Sequence, residues 1–151
     1  MTRKLVLAFT VPALAILVCM GGQAAADERQ MVQMPAMMRG HMLANMRDHL
    51  KALDEILLAL AEDRGGDAAA IAEKRLGMSS LGAHGAEHMA PHMPDAMKAL
   101  GTAMHRAASR FARLAETADL DPTPAGQRKV HAALQEITAA CTGCHGAFRV
   151  H

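Results

Sequence analysis

The chain has 151 residues and a formal net charge of +1, with 16 Lys and Arg, 15 Asp and Glu, and 9 His. So even a balance excludes the basic face with which nucleic-acid binders displace counterions. Trp and Tyr are absent, β-branched residues are few, and Ala, Leu, Met, Glu, Arg and His dominate, a composition that points to helices.

The first segment stands apart from the fold. Arg3 and Lys4 form a short positive region, Leu5 to Val18 is an apolar run too short for an ordinary membrane span, and Ala24-Ala25-Ala26 offers small residues to a signal peptidase. Residues 1–26 therefore read as a signal peptide and residues 27–151 as one exported domain, which places the protein in the periplasm. Two other readings stand beside this one: retention of the segment as an anchor, and lipidation of Cys19, for which the bulky Val18 is a poor fit. Removing Arg3 and Lys4 takes the net charge to about −1. No long apolar run follows residue 26, so no membrane span is expected in the mature chain.

Pro35 suits a first helical turn, and no breaker follows until Arg64-Gly65-Gly66. Within that stretch Leu43, Met46, Leu50, Leu53, Leu57 and Leu60 alternate at steps of three and four, the pattern of an apolar seam. Asp67 is the expected cap of a second helix running to about Ala90, before Pro91 and Pro94. Its pattern is the weakest, with Gly77, Gly82 and Gly85 interrupting it. A third helix from Asp95 carries Met97, Leu100, Met104, Ala107, Phe111, Leu114 and Ala118. After the turn Asp121-Pro122-Thr123-Pro124, the last helix shows Val130, Leu134, Ile137, Cys141, Cys144 and Phe148 in the same rhythm. Short connections between long helices predict an all-α, antiparallel up-down-up-down four-helix bundle. Phe111 and Phe148 are the aromatics left after maturation, so the core must be filled by Met and Leu or by something other than a side chain.

Cys141-Thr142-Gly143-Cys144-His145 is a C-x-x-C-H sequence, the attachment signature of c-type haem. Two thiols three residues apart on one helical face can each add to a haem vinyl group, and the adjoining histidine can give iron an imidazole ligand. Both cysteines fall on the apolar seam of the last helix, which aims an attached haem at the bundle core. A disulfide between them would close a very small loop. A redox dithiol normally opens a helix in a strand-helix fold, and a zinc site would want a second cysteine pair. These three remain the alternatives to one covalent haem c.

A C-terminal C-x-x-C-H followed by Phe148-Arg149, at the end of the fourth helix of an exported bundle, resembles the cytochrome c-prime family and its low-spin, methionine-ligated relatives. The layout is similar across the mature chain, and the motif likeness runs from about Ala132 to Arg149. The resemblance implies that Cys141 and Cys144 hold the haem and that His145 is the proximal ligand. It further implies electron transfer between redox partner proteins, or binding of small gases such as NO and CO where the distal position is open, and often a homodimer. In the family the first helix supplies either a Leu that leaves iron five-coordinate or a Met that binds it. His145 lies about 30 Å from the opposite end of its helix, and a similar depth along the first helix reaches residues 42 to 46. Met46 is thus the expected sixth ligand with Met42 in reserve, a thioether site suited to an electron carrier rather than an enzyme. The alternative is that these methionines are simply core filler. His41 lies about a quarter turn off.

A second constellation stands apart from the motif. His84, His88 and His92 recur every four residues with Met89 and Met93 between them, and Met31, Met34, Met37, Met38 and Met42 crowd the mature start with His41. Thioethers and imidazoles suit copper, so a periplasmic His/Met copper-binding protein is the competing class. A solvated histidine ridge with Met filling gaps is the plainer reading. No Ser-His-Asp arrangement or phosphate-cradling glycine loop argues for an enzyme, and Asp54, Glu55 and Glu62 are expected on the outer face of the first helix.

Overall fold

The computed structural model describes residues 27–151. The signal-peptide reading, its cleavage point and Cys19 lie outside the described residues. Five α-helices, packed against one another, make up most of this part. They are α1 (Ala36–Ala61), α2 (Gly65–Arg75), the single turn α3 (Ala86–Met89), α4 (Asp95–Leu120) and α5 (Pro124–Ala147). None of the described helices is long and apolar enough to cross a membrane.

Local chemistry sets the helix limits. Pro35 stands at the N-cap of α1 with φ −53° and ψ 143°, outside the helix, and its carbonyl accepts the Arg39 N–H at 2.9 Å. The far end closes as a Schellman motif in which Asp63, at φ 56°, takes the left-handed place usually held by glycine. The Arg64 N–H donates to the Ala59 carbonyl at 2.8 Å and the Asp63 N–H to the Leu60 carbonyl at 3.3 Å. The chain turns at once into α2, whose first residue must be small: a Cβ on Gly65 would sit 2.9 Å from Asp119 Oδ1 at the end of α4. Asp67 therefore lies inside the first turn of α2, paired with Arg64, and is not the cap expected of it. At α5 the Thr123 hydroxyl accepts the Gly126 N–H at 3.0 Å, and Pro124 begins the first turn.

The expected second helix is broken. α2 ends at Arg75, and the chain continues through 3₁₀ turns at Met78–Ser80 and Ala90–His92 with α3 between them. The glycines explain the break: Gly77 is extended (ψ 178°), and Gly85 adopts φ 63°, which a Cβ would resist. His84, His88 and His92 consequently do not form one ridge, since His84 is buried and His88 exposed.

Packing is sequential, with α1 on α2, α2 on α4 and α4 on α5. Arg75 ties α2 to α1 through Asp48 and Glu55, and Arg110 ties α4 to α5 through Glu136. The pairing with Arg75 also takes Glu55 off the wholly solvated face expected for it. The main core is made largely of alanine: Ala52 and Ala59 from α1, Ala68 and Ala72 from α2, Ala108 and Ala115 from α4, and Ala133 from α5. Phe111, fully buried, supplies the one large ring among them and stabilises the fold by about 2–3 kcal/mol through burial.

This alanine core relocates the seam of α1. Its inner face is Met42, His49, Ala52, Ile56 and Ala59, about one residue away from the leucine pattern. Leu50 and Leu57 are 71% and 55% exposed, and they border an open groove shared with Leu134 and Thr138 of α5. In α4, by contrast, Met97, Met104, Ala107, Phe111 and Ala118 are all buried, as their spacing predicts.

A second, thioether-rich cluster occupies the other end. Val32, Met42, Met89, Met97 and Phe148 are its buried members, with Met34, Met46, Met93, Leu100 and Cys144 packed around them. A short strand β1 (Gln30–Met31) pairs in parallel with β2 (Phe148–Arg149), and the Val32 N–H donates to the Arg149 carbonyl at 2.8 Å. Asp27 receives both Arg29 and Arg149, and the Arg29 side chain with its backbone N–H lowers the Asp27 carboxyl to about 2. Phe148 thus belongs to a strand past the helix, although its ring is buried as the seam predicts.

Candidate functional site

The C-x-x-C-H sequence forms the last turns of α5. Cys141 packs against the alanine core, while Cys144 packs into the methionine cluster, so the motif sits at the junction of the two. Between the thiols, a side chain at Gly143 would touch Leu100 of α4 at 3.6 Å, which shows how closely α4 backs the motif. Neither thiol is in a disulfide. Burial pushes both thiols up, Cys144 further because Cys141 is beside it, so both stay protonated at neutral pH.

Two cavities open from this junction. One, of about 180 Å³, is lined by Met42, Met46, Met97, Cys144, His145 and Phe148, among others. The other, of about 260 Å³, shares Met42, Met46, Met97 and Cys144 and continues inward to His49, His84 and His105. The structure therefore brings Cys144, His145, Met46 and Met42 to one wall system, with Met42 the more buried of the two methionines. Cys141 stands one helical turn away, on the core side. His145 itself is exposed, and its carbonyl accepts Arg29 Nη1 at 3.3 Å.

The inward cavity ends on three buried histidines that the spacing did not single out as a group. His49 of α1, His84 of the broken segment and His105 of α4 are 7%, 8% and 7% exposed. Their ring centroids are 4.7, 5.4 and 5.9 Å apart, with interplanar angles of 57°, 39° and 87°. His105 Nδ1 lies 2.7 Å from the Leu76 carbonyl, which fixes that nitrogen as the donor and leaves Nε2 with its lone pair. Ser80 Oγ donates to the Gly77 carbonyl at 2.7 Å and stands 3.4 Å from Nδ1 of both His84 and His105. His49 Nε2 is buried with no hydrogen-bond partner.

Burial and the neighbouring His84 and His105 lower His49 to about 4, and burial lowers His84 and His105 as well. All three rings are neutral at pH 7. The backbone carrying His84 is strapped to α1, because its carbonyl accepts both Asn45 Nδ2 at 2.9 Å and His41 Nε2 at 3.0 Å. Gly85 makes that possible: besides its positive φ, a Cβ there would sit 3.2 Å from His41 Nε2. Among the described residues, no group of three or more His, Cys, Asp or Glu side chains stands where it could hold a metal ion. One sequence signal could have found His49: it lies seven residues after Met42 and three before Ala52, on the alanine face of α1 and not the leucine face.

No protein-family profile, curated protein or solved structure matches the chain. The site is read from its own chemistry.

Proposed function

We propose that residues 27–151 form an exported, periplasmic monohaem c-type cytochrome of the cytochrome c-prime kind, an electron carrier on an up-down-up-down four-helix bundle. The observation that carries the reading is the opening of Cys144 and His145 of the C-x-x-C-H sequence onto a cavity walled by Met42, Met46, Met97 and Phe148. The sequential packing of α1, α2, α4 and α5, with short links between α1 and α2 and between α4 and α5, supports the bundle topology.

The residues present suit haem c. Two free thiols three apart on a helix are the groups that thioether attachment needs, and imidazole and thioether are the axial donors of a low-spin cytochrome. Haem c, when bound, supplies one-electron chemistry at its iron. Cys141 and Cys144 would hold it, His145 would be the proximal ligand, and Met46, with Met42 in reserve, would be the distal one. Met97 and Phe148 would keep water from the buried side. The Arg29 bond to the His145 carbonyl holds the exposed end of the motif against the N-terminal strand.

The test is an absorption spectrum of protein expressed in a periplasm able to mature c-type haem, oxidised, then reduced with dithionite, then exposed to carbon monoxide. Sharp split α and β bands that carbon monoxide leaves unchanged are the expected result. Broad bands that shift with carbon monoxide would replace electron transfer by binding of small gases at an open distal position. Absence of a Soret band would overturn the cytochrome reading.

A further inference from the structure

The three buried histidines do nothing for the haem reading. They line the inward end of a cavity whose other end reaches Cys144 of the C-x-x-C-H turn, and the haem reading gives them no role. His49 Nε2 is a polar atom removed from water with no hydrogen-bond partner to replace it.

Their arrangement has the shape of a ligand set. Three imidazoles on one ion at about 2.0 Å place their ring centroids about 3.2 Å from it, and so roughly 5.2–5.5 Å from one another. The observed triangle of 4.7, 5.4 and 5.9 Å brackets that spacing. The rings fan at 39° to 87° instead of stacking, as rings around a common point do. The outer nitrogens are also held in the way metal-bound histidines are held: His105 Nδ1 donates to the Leu76 carbonyl, and Ser80 Oγ stands by Nδ1 of His84. The three side chains do not stand close enough to hold an ion in this structure, so binding would have to draw the rings together.

We infer that His49, His84 and His105 form a second metal site, one that takes Cu(I). The donors are three imidazoles with no carboxylate among them, and the cavity wall carries the thioethers of Met46, Met89, Met93, Met97 and Met104 beside Asn45, Lys98 and Cys144. Burying an ion beside neutral donors costs far less for a single charge than for a double one, which disfavours Zn(II) here. Soft thioether surroundings favour Cu(I) further. An open groove of about 630 Å³, lined by Met37, Met38, His41 and His88, lies on the other side of Leu81, Ala86 and Met89, which line both the groove and the cavity. The ion enters and stays as Cu(I), so no electron acceptor is needed.

The experiment is an anaerobic Cu(I) titration of the periplasmic protein against a chromophoric Cu(I) chelator, with haem counted on the same sample from its iron. One Cu(I) per chain is expected beyond any iron, with copper X-ray absorption showing nitrogen neighbours at about 2.0 Å. His49→Leu and His105→Leu should each weaken binding by about 100-fold or more, and Ser80→Ala by about 10-fold with helical circular dichroism unchanged. Ser80→Ala keeps the test decisive if the histidine variants fail to fold. Stoichiometric copper that survives all three substitutions would place the ion on the surface and overturn the site. Failure to bind Cu(I), or tighter binding of Zn(II) through the same histidines, would overturn the assignment equally. A colourless protein that still binds Cu(I) through His49 would sink the cytochrome reading and leave this site standing.

Discussion

Acid should unfold the metal-free protein through His49. The ring titrates at about 4 in the folded chain against an ordinary 6.5, because it is buried among His84 and His105 with Arg75 nearby, and Asp48 only partly offsets them. A depressed histidine binds its proton in the unfolded chain first, so its share of stability is complete above pH 6.5 and is lost as pH falls toward 4. The 2.5-unit gap corresponds to about 3 kcal/mol in total, of which about 1 is gone by pH 5.5 and about 2 to 3 by pH 4.5. His84 and His105 are shifted in the same direction and add to it. Urea unfolding followed by circular dichroism, with a metal chelator present, measures this at several pH values. His49→Leu cannot take up the proton and has no orphaned nitrogen, so it should match or exceed the parent near pH 7 and lose less on acidification. At about 1–3 kcal/mol per molar urea, the gap between the two midpoints should move by roughly 1–3 M between pH 7 and pH 4.5. Parallel pH profiles for parent and variant would refute the reasoning, as would a parent that gains stability in this window.

Other substitutions probe separate links. Phe111→Ala removes the one large ring of the alanine core and should cost about 3–5 kcal/mol in urea unfolding, because Ala108 and Ala115 cannot collapse into the space. Gly85→Ala forces a Cβ onto a left-handed residue beside His41, and should cost about 1–2 kcal/mol and weaken Cu(I) binding. Arg75→Met breaks the half-buried link to Asp48 and Glu55; a loss of about 1 kcal/mol that shrinks in high salt is expected. On the cytochrome reading, replacing Met46 by Ala should abolish the split α and β bands and admit carbon monoxide, while Met42→Ala should leave them in place; the reverse outcome would exchange the two roles.

The helices at positions 95–120 and 124–147 were legible because their apolar spacing and their burial coincide. In α4, Met97, Met104 and Phe111 are both the hydrophobic residues and the buried ones. α1 misled for a physical reason. Leu50 and Leu57 carry the hydrophobic signal, yet close helix packing selected Ala52 and Ala59 for the inside, and methyl groups leave a fainter pattern than leucines. The broken second helix was foreshadowed by Gly77, Gly82 and Gly85, although the place of each break depended on the left-handed turn at Gly85. The C-x-x-C-H sequence was visible because its five residues are contiguous. The histidine trio was hidden because its members come from three elements distant in the chain, and only the strap from Asn45 and His41 to the His84 carbonyl brings them together.

The pairing of Gln30–Met31 with Phe148–Arg149 joins nearly the first described residues to nearly the last. Such a contact closes the longest loop the domain can make, so its entropy cost falls on a late step of folding. A chain emerging from its N-terminus must therefore hold that end unzipped until residue 149 has arrived. During that interval the last turn of α5 has no strand across it. Assembly order, and not only final geometry, thus leaves the last turn of α5, with Cys144, reachable before the N-terminal segment closes over the end of the helix.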